Sequence, residues 1–285
     1  MNFLRSRGFS LSAESVLILF CVLLFGITCY TQIRKVKKQN KQALSYLSKA
    51  AMANKKESPS DALFRIAYEN FGIQPRGVIH LGAHQAEELA FYQSYGVKDI
   101  LWIEANPELE PLIRKQVANH KGSHVQIFAA SDVTGEHTFH VPVNFTMCAS
   151  LLPLEKTADY VPITKEQKMI TVQQKRLDDV LAGMEKTGAY NVMLLDIQGA
   201  ELKALRGSVN TLKQIDAIIT EVSWCEAYQG GCRVHELDDL LRPHGFVRLE
   251  TLTDTRHIDG DALYVKQHII DRYDPLFKRK QKMAA

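Results

Sequence analysis

The sequence predicts an α/β fold, a central, mostly parallel sheet flanked by helices. Apolar runs of strand length recur at Gly77–Leu81, Ile100–Ile103, Tyr190–Leu195 and Ile215–Thr220, and segments with helical spacing separate them. These runs close on a turn or a carboxylate: Gly82, Glu104, Asp196 and Glu221. Strand–helix–strand alternation needs right-handed crossovers between parallel strands, and it collects those closing residues on one edge of the sheet. With 285 residues, 46% hydrophobic and 24% charged, the chain suits one sizeable α/β domain with appendages.

The most informative stretch is Val78–Pro107. It reads as strand, glycine turn, helix and strand, and it sets Gly82 beside Glu104 at the carboxyl edge, where nucleotides bind in such sheets. Glu104 lies 22 residues after Gly82, close to the spacing of about 20 at which a carboxylate meets ribose hydroxyls. The turn Gly82-Ala83-His84-Gln85-Ala86-Glu87 lacks the further glycines that let backbone wrap a pyrophosphate, which argues against a dinucleotide. Glu87 and Glu88 fall where the helix should begin. They either admit a cation such as a sulfonium or only complement the helix dipole.

Charge is unevenly placed. Residues 61 to 271 hold 20 Lys+Arg against 29 Asp+Glu, a net of −9, and the two ends together hold 15 against 3, a net of +12. An acidic body excludes a nucleic-acid substrate, which needs a basic face, and favours a small-molecule or glycan acceptor. No charge falls between Glu14 and Arg34, a gap of 19 residues, so residues 15–33 read as a transmembrane helix after a short tail, 1–14. The basic Arg34-Lys35-Val36-Lys37-Lys38 cluster places the body on the cytoplasmic side by the positive-inside rule. The competing orientation is a Golgi-type anchor with a lumenal body, which the triplet Asn144-Phe145-Thr146 would suit as a glycosylation site. A polar stalk follows to residue 60, the body spans 61–270, and a basic tail closes the chain at 271–285. The five cysteines show no disulfide framework or metal spacing, and no metal is expected.

Within the body, Ser60 or Asp61 should cap a first helix. Asn106-Pro107 opens a helix after Glu104, and Val125–Ala130 is a third strand with Ser131-Asp132 at its carboxyl end. His137–Val143 alternates like a half-buried strand, and the stretch to Ile170 fits no sheet–helix rhythm, as a lid or substrate-facing insertion would. Thr171–Lys175 returns to strand. Asp178 and Asp179 then read as the solvated face of a helix. Asp196 and Glu201 border the ligand crevice, and Val234–Arg242 is an amphipathic helix before a closing strand pair at 246–249 and 261–265.

The set VIHLGAHQAEE, WIEANPEL, AASD, ASLLP, RLDD, NVMLLDIQGAELKALRG, ITEV, HELDDLL and GDALYV, in this order, resembles the FkbM family of S-adenosylmethionine-dependent methyltransferases over Val78 to Lys266. The resemblance implies a Rossmann-like class I methyltransferase fold with a seven-stranded sheet. It implies S-adenosyl-L-methionine as cofactor and methylation of an oxygen, often on a sugar or secondary metabolite. By motif position it puts His80, Gly82, Ala83, His84, Glu104, Asn106, Ser131, Asp132 and Asp196 at the cofactor. His80 stands where many methyltransferases have an acid, and Ala86 where the family often has glycine. His84, Asp196 and Glu201 are the candidates for the base that a hydroxyl acceptor needs. A nicotinamide-dependent oxidoreductase and a catalytically silent binding module are the alternatives.

Overall fold

A computed structural model describes residues 57–154, 166–184, 188–253 and 259–273. The expected anchor, most of the stalk and nearly all of the C-terminal tail lie outside them. Among the described residues no helix is long and apolar enough to cross a membrane.

The described body begins with α1 (Pro59–Phe71). Its cap is Ser58, whose hydroxyl accepts from the Asp61 N–H at 3.1 Å, and Pro59 supplies a φ suited to the first turn. The cap therefore lies upstream of Ser60 and Asp61, because Pro59 can open a helix but cannot continue one. Gly72, at φ 59°, ends it in the left-handed region. Then follow β1 (Gly77–Leu81), α2 (Leu89–Ser94), β2 (Asp99–Glu104), α3 (Glu110–Val117) and β3 (Ser123–Ile127). A 3₁₀ turn, Pro107–Leu109, precedes α3, and Asn106 accepts its Glu108 N–H.

The expected third strand divides. Phe128 is buried, and the next residues leave the main sheet as β4 (Ala129–Ala130). They pair with β6 (Gln167–Lys175), itself antiparallel to β5 (Gly135–Pro142), so a small sheet of order β4-β6-β5 stands beside the large one. The irregular stretch is thus the connection of a β5–β6 hairpin, and its residues 155–165 lie outside the described ones. The chain continues as α4 (Leu177–Gly183), β7 (Val192–Leu195), α5 (Glu201–Arg206), β8 (Ala217–Ser223), α6 (Val234–Leu241), β9 (Phe246–Thr253), β10 (Asp259–Lys266) and α7 (Gln267–Tyr273).

The main sheet has seven strands in the order β3-β2-β1-β7-β8-β10-β9; β10 alone runs antiparallel to its neighbours. The order reverses between β1 and β7, and that switch point opens a crevice at the carboxyl edge. Alternation across the pleat sends Ile79, Leu81, Leu101, Ile103, Met193 and Leu195 into the core shared with α4, α5 and α6. The opposite face stacks aromatic rings: Phe64 of α1 lies 5.5 Å from Tyr92, and Tyr92 lies 5.7 Å from Trp102.

Asp178 is not on a solvated face. Its buried carboxylate accepts from the Asn210 N–H, the Thr211 N–H and the Thr211 hydroxyl at 2.8 to 2.9 Å, tying α4 to the turn after α5. Asp179 beside it is exposed. Asp178→Ala should lower stability by about 2–3 kcal/mol in urea unfolding, because the donors it leaves lose a charged acceptor. Asp179→Ala should stay within about 0.5 kcal/mol of the parent, and equal effects would return Asp178 to the surface.

Candidate functional site

A cleft of about 530 Å³, open mouth included, lies where the strand order reverses. Its walls come from Leu81 and Gly82 at the end of β1, Glu104 at the end of β2, Phe128 to Ala130, and Asp196 after β7, with Phe139 of β5 and Thr146 and Leu151 of the β5–β6 connection reaching over.

Two turns shape it. At Gly82, φ is 87°, and a Cβ there would lie 1.9 Å from the Asp196 carbonyl oxygen, so only glycine lets these turns touch. The non-glycine residues with positive φ among the described residues are His84 at 43°, Ala86 at 60° and Gln198 at 56°, all in these two turns. Strain of this kind concentrates where function constrains the backbone. At Ala86 it has a cost: a left-handed φ is free for glycine and costs alanine about 1 kcal/mol.

Carboxylates hold the strained turns. Glu104 is 7% exposed; its Oε2 accepts from the His84 N–H at 2.9 Å and its Oε1 from the Asn106 N–H at 2.8 Å. Burial raises its pKa against these two hydrogen bonds. Glu87 accepts from the Gln85 N–H at 3.0 Å and contacts His84 Nδ1 at 2.8 Å. Burial pushes the Glu87 pKa up, but the His84 contact and backbone N–H groups bring it below the usual carboxylate range. An ionised carboxylate only accepts, so Nδ1 carries a proton, and in the neutral imidazole Nε2 then keeps a lone pair. Thr146 Oγ1 lies 3.1 Å from Nε2, in reach to donate to that lone pair. Carboxylate, imidazole and hydroxyl therefore form a continuous chain across the cleft.

The second turn is held by Glu201. Its buried Oε1 accepts from the Ile197 N–H at 3.1 Å and the Gly199 N–H at 3.2 Å, and the Cys232 thiol donates to Oε2 at 3.4 Å. Burial pushes its pKa to about 7. Asp196 stands exposed at the cleft wall, where Gln198 Nε2 donates to its Oδ1 at 2.6 Å and to Glu221 Oε2 at 2.9 Å. The Tyr228 hydroxyl fixes that amide by donating to its oxygen at 2.7 Å. Asp261 stands opposite Glu221 in the β8–β10 register. Burial and the charge of Asp196 raise the Glu221 pKa well above the carboxylate range and push Asp261 to about 7.

The cleft thus gathers Gly82, His84, Glu104 and Asp196 of the expected site residues. His80 stands elsewhere: the pleat turns it to the opposite face, where Nδ1 is 3.0 Å from the Tyr92 hydroxyl and the ring packs on Trp102. Complete burial lowers its pKa to about 4 and keeps it neutral. Glu201 does not line the cleft: its Oε1 serves the turn and its Oε2 takes the Cys232 thiol. Ala83, Asn106, Ser131 and Asp132 also stay off the walls; Ala83 and Asn106 are second to the cleft through backbone hydrogen bonds to Ile103 and Glu104. Gln198, Glu221, Tyr228 and Glu87's contact to His84 were not assigned from sequence. Only the strand-closing position of Glu221 signalled any of them.

A Rossmann-like α/β sheet with an acid at the tip of β2 and no glycine-rich pyrophosphate loop departs from the dinucleotide-binding pattern. The methyltransferase FkbM domain matches residues 80–248, and the chain belongs to that family of S-adenosyl-L-methionine-dependent methyltransferases. No curated protein matches the chain. Among solved structures it is similar to a Streptococcus pneumoniae methyltransferase in complex with S-adenosyl-L-methionine, at 13% identity and TM-score 0.41 over 78% of this chain and 86% of that one. It is also similar to the Burkholderia thailandensis 1,6-didemethyltoxoflavin-N1-methyltransferase with bound S-adenosylhomocysteine, at 11% identity and TM-score 0.38 over 82% and 89%. The cleft residues fit the cofactor's chemistry. Each Glu104 oxygen accepts one main-chain hydrogen bond and keeps a lone pair for a ribose hydroxyl, and Phe128, Ala129 and Ala130 offer an apolar edge for a purine.

The acidic pair on β8 and β10 has a pH consequence. With its pKa near 7 when folded and 3.8 otherwise, Asp261 keeps a proton that the unfolded chain releases first. Its contribution therefore falls as pH rises from about 4 to about 7 and is level above. Thermal unfolding of the parent and Asp261→Asn from pH 5 to 8 should diverge in the variant's favour as pH rises, and parallel curves would count against the assignment.

Proposed function

We propose that the protein methylates a hydroxyl oxygen on a small or glycan acceptor, with His84 as general base oriented by Glu87. The observation that carries this reading is the Glu87–His84–Thr146 chain, in which an imidazole held by a carboxylate presents its free nitrogen to a hydroxyl inside the cleft. When bound, S-adenosyl-L-methionine supplies a methyl group on a sulfonium that carries its own leaving group. What remains for the protein is to align the acceptor oxygen and take its proton. Thr146 Oγ1 marks where an acceptor hydroxyl hydrogen-bonds to Nε2. Glu104 would hold the ribose diol and Phe128 to Ala130 the purine. Asp196, tethered to Gln198, closes the acceptor side, and Glu201 keeps the Asp196–Glu201 turn in shape.

The uncharged stretch 15–33 and the basic flank behind it support a single-pass anchor with a cytoplasmic body. Retention of the full chain in carbonate-washed membranes is the expected result, and release into the supernatant would remove the anchor.

Calorimetric titration should show S-adenosylhomocysteine binding that Glu104→Ala weakens by about ten- to a hundredfold, the range expected for lost hydrogen bonds to a charged group. In a screen of alcohols, sugars and amines read by S-adenosylhomocysteine release, hydroxyl compounds should be the acceptors. With such an acceptor His84→Gln should lower kcat by about 10²–10⁴ while cofactor affinity holds. Turnover on amines alone, or an unchanged His84→Gln rate, would sink this reading.

A further inference from the structure

The cleft opens through a tight turn after β5 that exposes three large apolar side chains within five residues: Val143 at 49%, Phe145 at 49% and Met147 at 57%. Single exposed apolar residues are ordinary on a folded protein; three on one turn form a patch. Backbone hydrogen bonds from the Phe145 N–H to the Pro142 carbonyl and from the Cys148 N–H to the Phe145 carbonyl hold that turn closed. Met147 belongs to both surfaces, since it lines the cleft as well as the patch, and the buried Phe139 and Leu151 continue the apolar strip inward. An apolar path thus leads from the outer surface to the wall beside His84 and Thr146.

Charge restricts what travels along it. Among the described residues lining the cleft, the charged side chains are Glu104, Asp196 and, when protonated, His84. Behind Asp196 stand Glu221 and Asp261. A phosphate or carboxylate on the acceptor, added to the carboxylate that the cofactor itself brings, would meet Glu104 and Asp196 with no guanidinium or ammonium among the described lining side chains to pair it, and a further unpaired charge in a partly desolvated site is costly.

Resting on the hydroxyl-methylation reading, we propose that the acceptor is an uncharged amphiphile. Its apolar chain lies on Val143, Phe145 and Met147, and its neutral hydroxyl-bearing head reaches His84. The patch continues into the cleft and its inner end is acidic, which matches a chain with a neutral head and mismatches a phosphorylated or carboxylated one. Hydroxyl geometry alone does not separate these acceptors; the rim does.

The test uses the full chain saturated with S-adenosylhomocysteine and an octyl β-D-glucoside bearing a diazirine at the chain end, with cross-links mapped by mass spectrometry. Label is expected on residues 139–151, unaffected by excess glucose 6-phosphate. Val143→Ser with Phe145→Ser, neither of which lines the cleft, should cut it by about tenfold or more, the loss expected from removing one or two buried apolar side chains, and leave S-adenosylhomocysteine affinity unchanged. Any label on residues 15–33 serves as an internal control for unspecific uptake, because the two substitutions leave it in place. Failure of S-adenosylhomocysteine to bind would overturn the methyltransferase reading itself. Binding of that ligand without label on residues 139–151, competition by glucose 6-phosphate, or a dimer in sedimentation that the two substitutions dissolve would each overturn the amphiphile and leave the reading in place.

Discussion

The structure turns on the missing side chain at Gly82. The Asp196 carbonyl occupies the space that any Cβ there would fill, at 1.9 Å, so the turn after β1 and the turn after β7 pack backbone to backbone. The Asp196 N–H donates to the Leu81 carbonyl at 3.0 Å and continues the β1–β7 pairing to that contact. Because β1 and β7 flank the point of strand-order reversal, joining their turns brings His84 and Asp196 to the walls of one cleft. Left-handed backbone follows at His84, Ala86 and Gln198, at about 1–3 kcal/mol each. The surrounding carboxylates offset that cost by satisfying the N–H groups the turns expose: Glu104 for His84, Glu87 for Gln85, and Glu201 for Ile197 and Gly199.

What the sequence made legible followed from periodicity. Apolar runs separated by helical spacing gave the five parallel strands near their observed places, and residues that close a strand gave Gly82, Glu104 and Asp196. Reading failed where side chains answer to partners far along the chain. Asp178 looks like a solvated helix residue until Asn210 and Thr211, 32 and 33 positions away, are brought to it. Similarly, Val125–Ala130 reads as one strand, yet Phe128 turns inward and the two alanines pair with β6, which no local pattern announces. His80 was misplaced for a different reason. Its motif position is at the nucleotide edge, but period-two alternation sends it to the face opposite Leu81, where Tyr92 and Trp102 hold it.

Glu201 shows how a carboxylate can serve a cleft by holding the backbone beside it. It sits at the start of α5, a position at which a first-turn glutamate complements the helix dipole. Here it reaches back instead and accepts two N–H groups of the turn that carries Asp196. Its raised pKa reflects burial, and burial is what a bracing residue requires. A raised pKa at a cleft is thus a weak sign of catalysis until the direction of the side chain is known.

Glu87 reverses that lesson. As a helix-dipole residue it would point along α2, yet α2 begins only at Leu89, so Glu87 stays in the turn with its carboxylate free to reach His84. The delay of the helix and the left-handed φ of His84 and Ala86 are one event. Three residues spent outside helical geometry let the imidazole swing across the cleft to Thr146, 62 positions away in the β5–β6 connection. An unstrained turn that entered the helix at once would keep Glu87 on the helix and the ring out of reach. The backbone strain and the orientation of the base are therefore the same feature: the left-handed φ of Ala86, which glycine would adopt more easily, is held against alanine's own preference by the hydrogen bonds that Glu104 and Glu87 make around the turn, and that turn is what presents the imidazole to the cleft.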